Sequence, residues 1–393
     1  MKYYIIAGEA SGDLHGSNLI KELRKADPAT GVRCWGGDLM AAAGGTLVKH
    51  YKDLAFMGFV EVLSNLRTIF RNLEFCRQDI RAYQPDALIL VDYPGFNLRI
   101  AKWARRQGLK VIFYISPQVW AWKENRVRAI KENVDKMLVI LPFEKEFYRR
   151  WDYEVEYVGH PLVEVIDSFR ADPRRHILQT LSPAFTDSSR PSATQLAESR
   201  PIIALLPGSR RQEILKKLPI MLAVAPLFPD HQFVVAKAPG LEDSFYDLLL
   251  KDHPNVSSVR NETYALLSQA KAAFVTSGTA TLETALFGVP EVVCYKGSPV
   301  SYHIAKRLIK VKYISLVNLI MDKPVVKELI QDELTPENLK KELDSLLHDP
   351  KKLEQLRVDY AALKELLSQG GHASANAARS ILQFMNAGPR RTP

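Results

Sequence analysis

The stretch Phe274 to Lys296, FVTSGTATLETALFGVPEVVCYK, decides how the chain is read. Its pattern predicts a short buried strand over Ala272 to Val275, a small-residue turn, a helix, and a second strand from Pro290. The turn Thr276-Ser277-Gly278-Thr279 carries no bulky side chain, so another group can approach its backbone closely. It opens a helix, whose free N–H groups and positive dipole end suit a phosphate. Glu283, four residues after Thr279, falls on the same helix face. A carboxylate there does not attract phosphate, but it can accept hydrogen bonds from ribose hydroxyls. The same residues also read as a Ser/Thr N-cap followed by an ordinary surface glutamate. This stretch alone does not choose between the two.

A second unit of the same kind precedes it. Ile202 to Leu206 is a strand, and Pro207-Gly208-Ser209-Arg210-Arg211-Gln212-Glu213 turns into a helix. Arg210 adds a fixed positive charge that can pair with phosphate oxygens. Two helix N-termini in one domain, one carrying arginine, form a diphosphate clamp. Gln232 to Ala236 and Val256 to Val259 are further strands, and Ser315 to Ile320 is an apolar segment with Asn318 inside it. Thr335-Pro336-Glu337 starts a helix with a threonine cap and proline at the first helical position. Lys351 to Leu367 and Ser374 to Asn386 read as amphipathic helices, the second after a Gly370-Gly371 break.

The N-terminal half repeats the alternation of strand and helix. Strands are expected at Tyr3 to Ala7, Ala87 to Val91, Val111 to Ile115, Lys136 to Leu141 and Glu156 to Val158. Apolar residues run through them, as in parallel strands covered on both faces. Gly8 to Gly16, GEASGDLHG, is expected as a loop before a helix over Ser17 to Ala26. It is neither G-x-G-x-x-G nor a Walker loop. A loop at the carboxyl end of a strand is where open α/β sheets bind ligands, so Glu9, Ser11, Asp13 and His15 are site candidates. Asp92 sits at another such strand end, in DYPGFN, as a general base or a helix cap. Trp120 and Trp122, in SPQVWAW, either stack on a ligand or fill core. Leu54 to Leu73 has an apolar face too wide for a core helix and carries Arg67 and Arg71. It suits either the headgroup region of a membrane or a buried interface.

The totals set limits. A chain of 393 residues is long for one core, so two domains are expected. The formal charge of +9 suggests an anionic partner, whether nucleic acid, membrane or phosphorylated substrate. Cys34, Cys76 and Cys294 lack paired spacing, which points to a reducing compartment and against a disulfide frame or zinc site. No apolar run reaches the roughly 18 residues needed to span a bilayer. Met1-Lys2 runs straight into a strand, so no signal peptide is expected. There is no D-x-D, H-x-x-H, C-x-x-C or G-x-S-x-G, so no metal and no cofactor is expected, and helix dipoles with Arg210 would meet the diphosphate charge. The fold class expected is α/β, two Rossmann-like doubly wound domains. Residues 1–169 form the first, 170–200 a linker or insertion, 201–345 the nucleotide-binding second, and 346–393 helices returning toward the first.

GEASGD at Gly8 to Asp13, MGFVEVL at Met57 to Leu63 and DYPGFN at Asp92 to Asn97 begin a series of seven motifs. SPQVWAW at Ser116 to Trp122, GHP at Gly159 to Pro161, LLPGSR at Leu205 to Arg210 and SGTATLE at Ser277 to Glu283 complete it. With these in order, the chain resembles the lipid-A-disaccharide synthase family of inverting GT-B glycosyltransferases over all but the insertion and the last residues. Val317 departs from the family's usual proline before the asparagine. The resemblance implies two Rossmann domains facing across a cleft. It also implies transfer of sugar from UDP-2,3-diacylglucosamine to the 6-hydroxyl of 2,3-diacylglucosamine 1-phosphate, giving the β-1,6-linked disaccharide and UDP by inversion. It implies Asp92 as base, with His15 second, and UDP held by Ser11, Ser209, Arg210, Ser277, Gly278, Thr279, Glu283 and Asn318. Met57, Phe59, Val60, Leu63, Leu66 and Phe70 would contact acyl chains or the cytoplasmic face of a Gram-negative inner membrane, with no nucleic acid involved. Other enzymes on the same scaffold, an N-acetylglucosaminyltransferase or a UDP-sugar epimerase, stand as alternatives, as does a non-catalytic protein that binds membranes or nucleic acid. The sequence sets no oligomeric state.

Overall fold

The computed structural model describes residues 1–54, 66–122, 124–172, 174, 178, 182–183, 200–298 and 312–387. It divides into two compact units, Met1–Pro161 with Leu367–Pro393, and Leu162–Leu366. The first unit is built on strands β1 (Lys2–Ala7), β2 (Gly31–Gly36), β3 (Thr46–His50), β4 (Ala87–Val91), β5 (Lys110–Tyr114), β6 (Lys136–Val139) and β7 (Glu156–Tyr157). They form one sheet in the order 3-2-1-4-5-6-7, parallel throughout. Tyr3 to Ala7 and Ala87 to Val91 are fully buried, which accounts for their unbroken apolar sequences.

The second unit repeats the plan with β8 (Ser182–Pro183), β9 (Ile202–Leu206), β10 (Gln232–Lys237), β11 (Val256–Arg260), β12 (Ala270–Thr276), β13 (Glu291–Tyr295) and β14 (Lys327–Ile330). Its order is 14-13-12-9-10-11-8, parallel except for β8. In each sheet the winding reverses between two adjacent strands, β1 and β4 in the first and β9 and β12 in the second. The crossovers then lie on opposite faces, leaving an open crevice at the carboxyl ends of that pair.

One expected loop is mostly helix. The first helix runs Ala10–Ala26, so Ser11, Asp13 and His15 belong to its opening turns. Its glycines read as a loop in sequence, but they serve packing. A Cβ on Gly12 would lie 3.0 Å from that of Ala7, and one on Gly16 would lie 2.7 Å from Met40 Sδ. Asp13 is not a free site residue. It is buried and accepts backbone N–H bonds from Gly37 (2.7 Å), Leu39 (3.2 Å) and Met40 (3.0 Å), capping the Asp38–Ala42 helix from a distance.

The Leu66–Tyr83 helix is moored to the sheet by a polar network. Asp79 takes two bonds from Arg33 and one from Tyr4, whose hydroxyl also accepts Trp35 Nε1 at 2.8 Å. At the far end of this unit, Gly159 (φ +94) meets Gly370 and Gly371 backbone to backbone: a Cβ on Gly159 would sit 2.9 Å from Gly371 O. Asn376 Nδ2 bonds Gly370 O and Val158 O, and the Ala373–Asn386 helix that follows packs on Ala10–Ala26. The three cysteines are free and buried.

Asp13→Ala removes the acceptor for three backbone donors in a closed interior. It should destabilise the protein by about 3 kcal/mol, read as a lower urea midpoint at unchanged slope. An unchanged midpoint would mean that these N–H groups find water instead.

Candidate functional site

Two turns flank the crevice of the second unit. After β9 the chain turns through Pro207 to Arg210, with Gly208 at φ +120, and enters the Arg211–Leu222 helix. After β12 it turns through Ser277 and Gly278, with Gly278 at φ +152, and enters the Thr279–Leu286 helix. The alternative reading of the second turn, a Ser/Thr cap, does not hold: Gly278 occupies the N-cap position there and Arg210 that of the first helix, and neither helix receives a side-chain cap. With no side-chain cap, the helix openings after Arg210 and Gly278 can offer backbone N–H groups to an anionic ligand. The Ser277 hydroxyl is turned away, donating to Ile314 O at 2.8 Å.

Between the turns lies a pocket of about 390 Å³, lined among others by Ser209, Arg210, Ser277, Gly278, Thr279 and Glu283. The structure thus brings together six of the residues named from sequence. Glu283 accepts the Tyr264 hydroxyl at 2.8 Å. Burial pushes its carboxyl up, and the tyrosine bond offsets part of that. Arg210 is exposed and 3.5 Å from Glu213. Sequence reasoning missed Lys237 and Thr263, which also line the pocket. Lys237 stands at the carboxyl end of β10, a position that the strand rule could have singled out.

Asn318 does not join them. It is 1% exposed; its amide donates to Val326 O and Glu328 Oε1, and its oxygen accepts Val326 N, all at 2.9 Å. Glu328 in turn accepts the N–H groups of Ile314 and Ser315. Asn318 therefore braces the segment whose carbonyl holds Ser277, one step removed from the pocket. Val317 lies in the first turn of the Leu316–Met321 helix, where a proline would also fit.

In the first unit the corresponding crevice lies between β1 and β4. Asp92 and Tyr93 both take left-handed backbone conformations (φ 43 and 49), which cost energy in non-glycine residues and concentrate at functional sites. Asn97 fixes this turn, donating to Asp92 O at 2.7 Å and spanning to Ile6 O on β1. Gly8 is required where it stands, because a Cβ there would lie 2.3 Å from the Tyr93 ring. Asp92 is half-buried, and desolvation together with the charge of Glu9 raises its pKa to about 7. His15 is 7% exposed with Nδ1 unpartnered, and burial lowers its pKa to about 4. His160, of the GHP motif, is buried beside it and lowered to about 3 by burial and by the His15 charge. Ser11 is exposed on the opening turn of its helix.

Trp120 is 7% exposed and packs edge-on against Phe143, so it fills core. The Trp122 and Leu66 side chains and residues Met57, Phe59, Val60 and Leu63 lie outside the described residues. Phe70, on the described part of that segment, is 61% exposed with Arg67 and Arg71 exposed beside it. Among the described residues no helix is long and apolar enough to cross a membrane, and no group of His, Cys, Asp or Glu is arranged as metal ligands.

Solved structures share this architecture. UDP-GlcNAc 2-epimerase from Neisseria meningitidis, bound to UDP-GlcNAc, superposes with a TM-score of 0.67 at 14% identity, covering 98% of this chain and 100% of that one. The glycotransferase of kitacinnamycin gives 0.63 at 17%, covering 98% and 99%. At such identities the likeness concerns the fold alone. Sequence relatives go further. The lipid-A-disaccharide synthases of Geobacter metallireducens and Geobacter sulfurreducens are 40% and 39% identical over 386 residues, each match covering 97% of this chain and 96% of the relative. That of Nitrosococcus oceani is 38% identical over 392 residues, covering 98% and 97%. The family model for lipid-A-disaccharide synthetase matches residues 3–382. The chain therefore belongs to the lipid-A-disaccharide synthase family, the UDP-sugar glycosyltransferases of lipid A disaccharide synthesis.

Proposed function

We propose that the protein transfers 2,3-diacylglucosamine from its UDP derivative to the 6-hydroxyl of 2,3-diacylglucosamine 1-phosphate, with inversion. The observation that carries the site assignment is the pair of uncapped helix N-termini at the β9/β12 reversal, with Arg210 at one of them. Donors fixed in place before the reaction stabilise a developing diphosphate without reorganising. Glu283, buried beside the phosphate turn with a hydroxyl donor already on it, suits the ribose.

The acceptor oxygen attacks the anomeric carbon as the bond from that carbon to the diphosphate breaks and UDP leaves with the electron pair. Asp92 takes the acceptor proton. A carboxylate raised to about 7 is a stronger base than an ordinary one, and about half of it is ionised at neutral pH. His15 is neutral at that pH, but its lowered pKa makes it the weaker base. Ser11 stands on the same edge of the first unit and can meet the sugar. The exposed Phe70 and its arginines support contact with an anionic lipid surface, the cytoplasmic face of the inner membrane.

In detergent, UDP release from UDP-2,3-diacylglucosamine should require the acceptor and yield the disaccharide. Arg210→Ala should lower kcat/KM about a hundredfold. Acceptor-independent turnover of UDP-N-acetylglucosamine would instead favour an epimerase. The base assignment makes a separate prediction. With Asp92 as base, kcat/KM should rise about tenfold per pH unit up to about 7 and then level. Glu9→Gln should shift that limb to lower pH by removing a like charge. With His15 as base, the limb would lie near 4 and the profile would be flat from pH 5.5 to 8. On the membrane side, Phe70→Ser should weaken sedimentation with phosphatidylglycerol vesicles at unchanged folding, whereas undiminished binding would remove this residue from the membrane face.

A further inference from the structure

Lys217 belongs to none of the motifs above, and it is the most deeply buried lysine among the described residues at 3% exposure. It lies on the Arg211–Leu222 helix, about two turns below the Pro207 to Arg210 turn. Its ammonium donates to Thr276 Oγ1, on the last residue of β12, directly before the second turn. It also stands 3.9 Å from Glu213 Oε2. Thr276 and Glu213 both line the pocket, whereas Lys217 is behind them.

Glu213 presents a difficulty for anion binding. Its carboxylate lies against the Gly208 backbone, where a Cβ would meet Oε2 at 2.8 Å, inside the pocket that the helix N-termini make positive. It is shared between Arg210 at 3.5 Å and Lys217 at 3.9 Å. A diphosphate that recruits Arg210 takes one of those partners away. Without the other, an ionised carboxylate would face the phosphates uncompensated, and like charges brought together at a desolvated site cost several kcal/mol.

We propose that Lys217 is a positioning residue for the diphosphate. It holds the charge of Glu213 when Arg210 turns to the ligand, and it ties the first phosphate turn to the second through Thr276. The inference rests on the UDP pocket proposed above and adds to it a buried counter-charge. Burial lowers the Lys217 pKa, and Glu213 acts against that shift, so the carboxylate stabilises the lysine's charge as the lysine compensates the carboxylate's. The neighbouring Cys294 thiol, pushed up by burial, is neutral and does not compete for it.

The experiment compares UDP with uridine, which lacks phosphate, by calorimetry on the intact protein. Lys217→Met should weaken UDP about tenfold, equivalent to about 1.4 kcal/mol, and leave uridine unchanged. In turnover, KM for the UDP-sugar should rise more than kcat falls. Glu213→Gln added to Lys217→Met removes the uncompensated charge and should restore most of the UDP affinity. Equal weakening of uridine and UDP would mean that Lys217 merely supports the pocket, and no recovery in the double variant would overturn the shared-carboxylate role. If Lys217→Met does not fold, Lys217→Gln and the double variant carry the same comparison. An Arg210→Ala variant that binds UDP as tightly as the wild type would refute the pocket assignment itself, a result distinct from a failure at Lys217.

Discussion

Everything functional here depends on where the strand order reverses. A parallel strand followed by a right-handed crossover can be covered on only one face by that crossover. When successive crossovers change face, the two strands at the change have loops that part from each other. In this chain those pairs are β1 with β4 and β9 with β12, and the polar residues that matter all leave their carboxyl ends. Arg210 follows β9, Gly278 follows β12, Glu9 follows β1 and Asp92 follows β4. The apolar strands make the crevices, and the residues in them need little else to converge.

Convergence is kept exact enough for chemistry by braces of a consistent kind. Asn97 spans from the Asp92 turn to β1 through backbone carbonyls. Asn318 and Glu328 hold the segment that bonds Ser277. Asp13 caps a helix that begins 25 residues further along the chain. Asp13 and Asn318 are buried with their bonded oxygens and amide matched to partners, an arrangement that tolerates burial. Two buried atoms beside these braces, Asn97 Oδ1 and His15 Nδ1, have no partner among the described residues.

Much of this was legible in the sequence, and the failures have physical causes. Apolar strand cores and glycine turns before helices announced both sheets and the two turns that line the pocket, because those signals are local. β2, with Arg33 and Gly36, and β3, with Lys49 and His50, have mixed sequences and were not anticipated. Gly12 and Gly16 suggested a loop, although spacing of four places them on one helix face, where they admit Ala7 and Met40. Asn318 and Asp13 looked like site residues because the partners that occupy them are remote in sequence. Lys217 was invisible for a related reason. Beside Lys216 in a basic helix it reads as surface charge, and only the phase of that helix against β12 leaves Lys216 exposed and Lys217 buried.

The two crevices carry opposite electrostatics, and the division suits the proposed displacement, in which UDP leaves with the electron pair. Around the proposed diphosphate site, the helix ends and Arg210 supply positive potential that would be present before the bond breaks and would stabilise the departing oxygens as charge reaches them. Around Asp92, burial and Glu9 do the reverse and disfavour negative charge. That raises the free energy of the ionised base in the resting enzyme and lowers the cost of giving it a proton in the transition state. Under the proposed roles, an unfavourable site would make the base reactive and a favourable one would ease departure of the leaving group. Each condition is written into a different sheet, so either could be tuned by substitution without disturbing the other.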